Sequence, residues 1–164
     1  MRSMLATAAL AVAGAGTALA QAAPAAPARP TAADTAAIVQ VTTNVFDAMR
    51  KRDTTMLRAA FAPGAQLTTV GVARDGSPRV SFEKPDAFVQ AVGQPSPVVW
   101  DERTYHTEVR IDGNLATVWM EYDFYAGDQF SHCGVDAFQL AKHADGWKII
   151  ALADTRQREG CPKR

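Results

Sequence analysis

Two acidic and basic side chains flank a tight turn and would meet across it. Gly127-Asp128 between two β-patterned runs reads as a two-residue hairpin loop, which sets Ala126 opposite Gln129. Stepping back along both strands then pairs Asp123 with His132 and Trp119 with Asp136. A carboxylate beside an imidazole raises its pKa and fixes its tautomer, the requirement of an acid–base His–Asp pair. Side chains alternate by two, so Trp119, Glu121, Asp123, His132, Gly134 and Asp136 share one face. Val118, Met120, Tyr122, Phe124, Cys133, Val135 and Ala137 take the other. Either the polar face lines a cavity with His132 and Asp123 as catalytic residues, or the apolar face lies under helices and the carboxylates are solvated cross-strand pairs of small energetic weight.

Further ligand-binding candidates lie in the same half of the chain. Trp100, Tyr105, Trp119 and Phe138 would form an aromatic wall if they do not belong to the core. Glu121, Tyr122 and Asp136 complete the set on the strands around the turn. Asp154 and Arg156 fall on one face of the last strand and either pair with each other or reach a ligand carboxylate. Asp75 and Asp86 stand at turn and helix-start positions that explain them without chemistry. The 3 histidines show no HxH or HxxxH spacing, and no GxSxG, Walker or GxGxxG pattern occurs. No metal and no cofactor is expected.

These residues need a scaffold, and the periodicities supply one. Ile38, Val41, Val45, Phe46 and Met49 recur at helical spacing between Thr31 and Arg52, with Thr31 or Asp34 as N-cap. Asp53 caps a shorter helix through Ala60, which Pro63-Gly64 closes. Gln66 to Val72 and Arg79 to Phe82 read as strands around an Asp75-Gly76-Ser77-Pro78 turn. Pro85 opens a third helix ending at Gly93. From Val98 onward four long alternating runs are separated by Asp112-Gly113-Asn114, Gly127-Asp128 and Asp145-Gly146, an antiparallel meander. Helices grouped early and hairpins grouped late predict an α+β fold, about three helices packed on one face of a curved antiparallel sheet.

The chain starts with Arg2, a run of Ala, Gly and other apolar residues from Met4 to Leu19, and Ala18-Leu19-Ala20, a small-x-small cleavage pattern. Residues 1–20 therefore read as a signal peptide rather than a membrane anchor, 21–30 as an Ala/Pro-rich linker, and 31–164 as one domain. The expected location is periplasmic or secreted, with no membrane association after cleavage. Formal charge is 17 basic against 17 acidic residues, and losing Arg2 with the leader leaves 16 against 17. Such a balance offers no footprint for nucleic acid. In an oxidising compartment Cys133 and Cys161 have one intramolecular pairing, which would staple the C-terminal tail to a strand; the alternative is a pair of buried thiols.

This order of elements from Thr31 to Arg158 resembles the nuclear transport factor 2-like superfamily. More narrowly, His132-Cys133-Gly134-Val135-Asp136-Ala137-Phe138, together with Gly146-Trp147-Lys148-Ile149-Ile150 and Asp154-Thr155-Arg156, resembles bacterial exported proteins of lumazine-binding-like type. The resemblance implies a cone-shaped cavity for a small, partly apolar or aromatic ligand, and a homodimer formed through the outer sheet face. As the alternative it admits a cofactor-independent isomerase, dehydratase or cyclase. In that case His132 would be the base, Asp123 its orienting partner and Tyr122 or Tyr105 an oxyanion donor. A non-catalytic dimerisation module is the third class.

Overall fold

The computed structural model describes residues 29–163. The signal peptide and most of the linker expected from the sequence lie outside the described residues. Among the described residues no helix is long and apolar enough to cross a membrane.

Three helices and six strands follow one another as α1 (Ala32–Lys51), α2 (Thr54–Ala60), β1 (Phe61–Val72), β2 (Pro78–Glu83), α3 (Pro85–Gly93), β3 (Trp100–Asp112), β4 (Leu115–Ala126), β5 (Gln129–His143) and β6 (Gly146–Thr155). Thr31 caps α1 in a full capping box with Asp34, whose carboxylate also takes Lys142 from β5 at 2.8 Å. Asp53 caps α2 by accepting from the Thr55 and Met56 amides. Arg52, in the left-handed conformation at the end of α1, donates to the carbonyls of Val92, Gln94 and Val98. One guanidinium thus ties the end of α3 to the approach of β3, where helix carbonyls have no partners of their own.

The sheet order is β2-β1-β6-β5-β4-β3. β3 through β6 form the expected meander, but β1 lies parallel to β6, so the sheet is mixed rather than wholly antiparallel. The chain leaves β1 by the β2 hairpin and α3 and re-enters the sheet at the far edge. Parallel neighbours need such a long crossover. Pro63-Gly64 does not end a unit but sits in an irregular stretch of β1, between Phe61 opposite Ile149 and Gln66 opposite Ala151. Proline, which cannot donate to the ladder, is placed where the ladder is already interrupted.

Helices cover one face, called here the inner face. Ile38, Val45, Phe46 and Met49 of α1, Leu57 of α2 and Val89 and Val92 of α3 pack onto Val118, Met120, Phe138, Leu140, Trp147 and Ile149. Each such side chain contributes about 1.5–3 kcal/mol of burial. Cys133 and Cys161 are joined in a disulfide across 28 residues, stapling the tail to β5 as expected.

Candidate functional site

A single extra residue decides which side chains face inward. The Gly127-Asp128 loop is present and Ala126 does oppose Gln129, as the turn chemistry requires. Ser131 is then bulged out of β5: Tyr125 opposes Phe130, whereas Phe124 opposes His132. From there every pairing is displaced by one from the turn-derived register, so Asp123 faces Cys133 and Met120 faces Asp136. His132 and Asp136 consequently join Tyr122, Phe124 and Met120 on the inner face, while Asp123 turns to the outer one. The geometric basis for a His132–Asp123 acid–base pair is gone, and a mixed polar and apolar inner face replaces the two segregated ones.

Between this face and the helices lies a cavity of about 340 Å³. Val45, Phe46 and Met49 of α1 and Phe88 and Ala91 of α3 form its apolar side, with Leu67, Leu152, Trp100 and Phe124 from the sheet. Its polar side is Glu102, Tyr122, His132, Asp136, Asp154, Arg156 and Thr69, with the exposed Glu83 at the rim. Of the residues picked from sequence, Trp100, Tyr122, His132, Asp136, Asp154 and Arg156 converge here. Tyr105 and Glu121 oppose each other on the outer face, where Glu121 meets His106 at 3.3 Å. Trp119 also points outward and is 53% exposed. Phe138 faces inward but belongs to the core, edge-on to Phe46 at 6.1 Å.

Glu102 was not singled out from the sequence, although it stands two residues after Trp100 and so must share its face. Arg50 fixes that part of β3: it donates to the Glu102 carbonyl and to Asp101, both at 3.1 Å, and to Asp47 at 2.6 Å. The Glu102 and Asp136 carboxyls are in hydrogen-bonding contact, an arrangement that needs a proton between them. Removal from water pushes Glu102 up to about 7, and burial with the neighbouring Glu102 pushes Asp136 well above the ordinary carboxylate range. Apart from the proton shared with Glu102, Asp136 Oδ2 is buried with no hydrogen-bond donor among the described residues.

Beside this pair, Asp154 accepts from Thr69 at 2.7 Å and from Arg156 Nε at 2.6 Å. The Tyr122 hydroxyl donates to the Thr155 carbonyl at 2.8 Å, so its proton is committed to the backbone. His132 stacks on Phe124 with centroids 4.9 Å apart and has Ser131 Oγ 3.0 Å from Nδ1. Burial, then the Arg156 charge, hold its pKa below the usual imidazole value, so the ring is neutral near pH 7. A neutral imidazole, a proton-sharing carboxyl pair and a closed Asp–Arg pair can bind donors and exchange protons with a ligand.

Residues 33–153 match the protein family described as "Putative lumazine-binding". The chain belongs to that family. Its members' wider group is the nuclear transport factor 2-like superfamily, and solved structures agree in fold. A protein of this type from Shewanella baltica is 21% identical, with TM-score 0.60, over 80% of this chain and all of the other. One of cystatin-like fold from Nostoc punctiforme is 13% identical, with TM-score 0.62, over 79% and 95% of the two chains. A Streptomyces avermitilis protein described as a "putative dehydratase" is 14% identical, with TM-score 0.59, over 76% and 97%. No curated protein matches the chain.

In this lumazine-binding-family chain the carboxyl pair makes stability depend on pH in a predictable sense. The native pair keeps a proton that the unfolded chain releases, so its contribution falls as pH rises from the free-carboxyl range towards about 7. His132 acts oppositely: its lowered native pKa makes stability rise with pH up to the free-imidazole value. The difference between wild type and Glu102→Gln isolates the carboxyl pair. Between about pH 4.5 and 7.5 that difference should move in the variant's favour by about 1–3 kcal/mol in urea titrations. A pH-independent difference would show that the pair holds no extra proton.

Proposed function

We propose that this chain is an exported binding protein whose cavity takes a small, partly aromatic molecule. The observation that carries this reading is the space left between α1, α3 and the sheet, where an aromatic wall from Trp100, Phe124 and Phe88 faces the converged polar groups of Glu102, Asp136 and His132. Packed interiors leave few voids of that size, and ligand sites are apolar pockets with a small number of placed polar groups. The family match and the Cys133–Cys161 bridge support ligand binding and an oxidising compartment respectively.

Native mass spectrometry of protein purified from its own host should show a retained small molecule. Ala91 lines the cavity from α3, and Ala91→Phe fills space from the helix side. It should lower affinity for that molecule at least about tenfold, or 1.4 kcal/mol. An empty wild-type protein, or unchanged binding by the filled variant, would count against the reading.

A second reading, proton-transfer catalysis without a cofactor, draws on Glu102. A carboxylate brought near neutrality in a largely apolar cavity suits a general base. On this reading Glu102 takes the proton and Asp136 is its hydrogen-bonded partner, roles first expected of His132 and Asp123. Incubation in deuterated water would then place deuterium in the retained molecule, and Glu102→Gln would abolish it.

We further propose a homodimer through the outer face, where Trp119, Val80 and Phe82 are 53%, 52% and 76% exposed. Light scattering at tens of micromolar, about a weak interface's dissociation constant, should give twice the chain mass, and Trp119→Lys should give the single mass.

A further inference from the structure

We infer that the cavity's ligand is an organic cation bearing N–H donors, of the amine or amidine class, on an apolar ring, with its positive end against Glu102 and Asp136. This rests on the binding reading above and names its ligand class.

The donors and acceptors around the cavity do not balance. Four carboxylates line it: Glu83, Glu102, Asp136 and Asp154. The cation lining it is Arg156, and its Nε is already bonded to Asp154 at 2.6 Å. The other Asp154 oxygen accepts from Thr69. Arg50, behind β3, is occupied by Asp47, Asp101 and the Glu102 carbonyl. The Tyr122 proton goes to the Thr155 carbonyl, and Ser131 Oγ lies at His132 Nδ1.

On the Glu102–Asp136 side of the cavity, what remains is acceptor capacity. Asp136 is 3% exposed, and among the described residues its Oδ2 has no N–H or hydroxyl donor, so the one proton shared with Glu102 leaves the buried pair short of donors. An N–H of the ligand supplies what is missing. A ligand carboxylate would instead face two carboxyls there, and the nearby Arg156 is bonded through Nε to Asp154. Trp100 and Phe124, edge to face at 6.2 Å, and Phe88 supply the apolar wall for the ring.

Entry of the cation changes the proton inventory. Before binding, one proton bridges the Glu102 and Asp136 carboxyls. An ammonium or amidinium takes its place, the O–H bond breaks, and the proton passes to solvent. Binding in slightly acidic solution therefore releases up to one proton, and affinity rises with pH until the pair is already ionised.

Isothermal titration with benzamidine, benzamide and benzoate tests this on the intact mature protein. These probes share a ring and differ in charge. At about pH 8 benzamidine should bind at least tenfold, or about 1.4 kcal/mol, more tightly than benzamide, with benzoate weakest. Near pH 6, buffers of different ionisation enthalpy should report proton release with benzamidine and none with benzamide. Asp136→Asn and Glu102→Gln should each shrink the benzamidine preference to within about twofold. Benzoate binding as well as benzamidine, or a preference that survives both substitutions, overturns the inference. If all three probes bind alike and shift the Trp100 indole resonance, the cavity reading stands and the cation assignment falls. If none binds below about 10 mM, both fall. The wild-type series decides the matter even if a variant fails to fold.

Discussion

Gly134→Ala is expected to cost at least about 2–3 kcal/mol of stability, and Gly134→Val to leave little folded protein. A methyl group built on Gly134 would overlap the Thr155 carbonyl oxygen, with the Thr155 carbonyl carbon at 2.8 Å and Tyr122 Cε1 at 2.9 Å. The obstacles are the backbone of β6 and a ring that is 1% exposed, so neither can swing aside. The same carbonyl receives the Tyr122 hydroxyl, and Thr155 Oγ1 receives the Val135 amide. Separating β5 from β6 here would break both bonds and open the cavity floor between His132 and Asp136. Gly127 gives the contrast: its φ of 62° tolerates asparagine and an added Cβ meets nothing within 4 Å, so Gly127→Asn should cost under about 1 kcal/mol. Urea unfolding midpoints compare the two. Equal midpoints for Gly134→Ala and wild type would mean that the β5–β6 approach is looser than described.

The scaffold was legible because its signals are local. Thr31 and Asp53 act as the caps that their side chains suggest, Pro85 opens α3, and the chain turns between the long strands at Gly113-Asn114, Gly127-Asp128 and Ala144-Asp145, each within one residue of the expected place. Two features were not legible, and both depend on non-local pairing. The parallel contact of β1 with β6 joins segments about 85 residues apart, and alternation within either strand says nothing about its neighbour. The bulge at Ser131 leaves the turn intact and still reverses the facing of His132 and Asp136 relative to Asp123. Serine forms bulges no more distinctively than it forms strands, so counting from the turn gives a correct start and a displaced end.

That displacement also explains why part of the site was found for reasons that did not hold. The turn-derived register sets Asp136 and His132 beside Asp123 and Trp119, and their actual companions are Tyr122, Phe124 and Glu102. Glu102 was in reach of alternation from Trp100 alone. What alternation could not supply is its contact with Asp136, which spans β3 to β5 across the intervening β4. Such a contact is a property of the assembled sheet, in which Glu102 stands opposite Phe124 and Asp136 opposite Met120. Placing aromatics between the two strands leaves the acids beside an apolar wall, which is what raises their affinity for protons.

Loss of the disulfide is the second change with a large expected effect. Reduction, or Cys133→Ala with Cys161→Ala, should lower stability by about 3–4 kcal/mol on the loop-entropy argument for a separation of 28 residues. For a domain of this size that is a fall in Tm on the order of 10 °C. The loss should be concentrated at one end of the sheet. Cys133 and Gln157 exchange two backbone hydrogen bonds of 3.0 Å beyond the end of β6, and the bridge holds that pairing closed. Arg156 adjoins it, with its amide on the Val70 carbonyl at 3.3 Å and its side chain on Asp154. Hydrogen exchange should therefore quicken at Cys133, Val135, Arg156 and Gln157 while Val118 and Phe138, deep under α1, keep their protection. Uniform loss across both sets would mean that the bridge stabilises only through the unfolded chain. Selective loss would mean that it also clamps the tail from which Arg156 reaches the cavity, so that oxidation completes the polar wall as well as the fold.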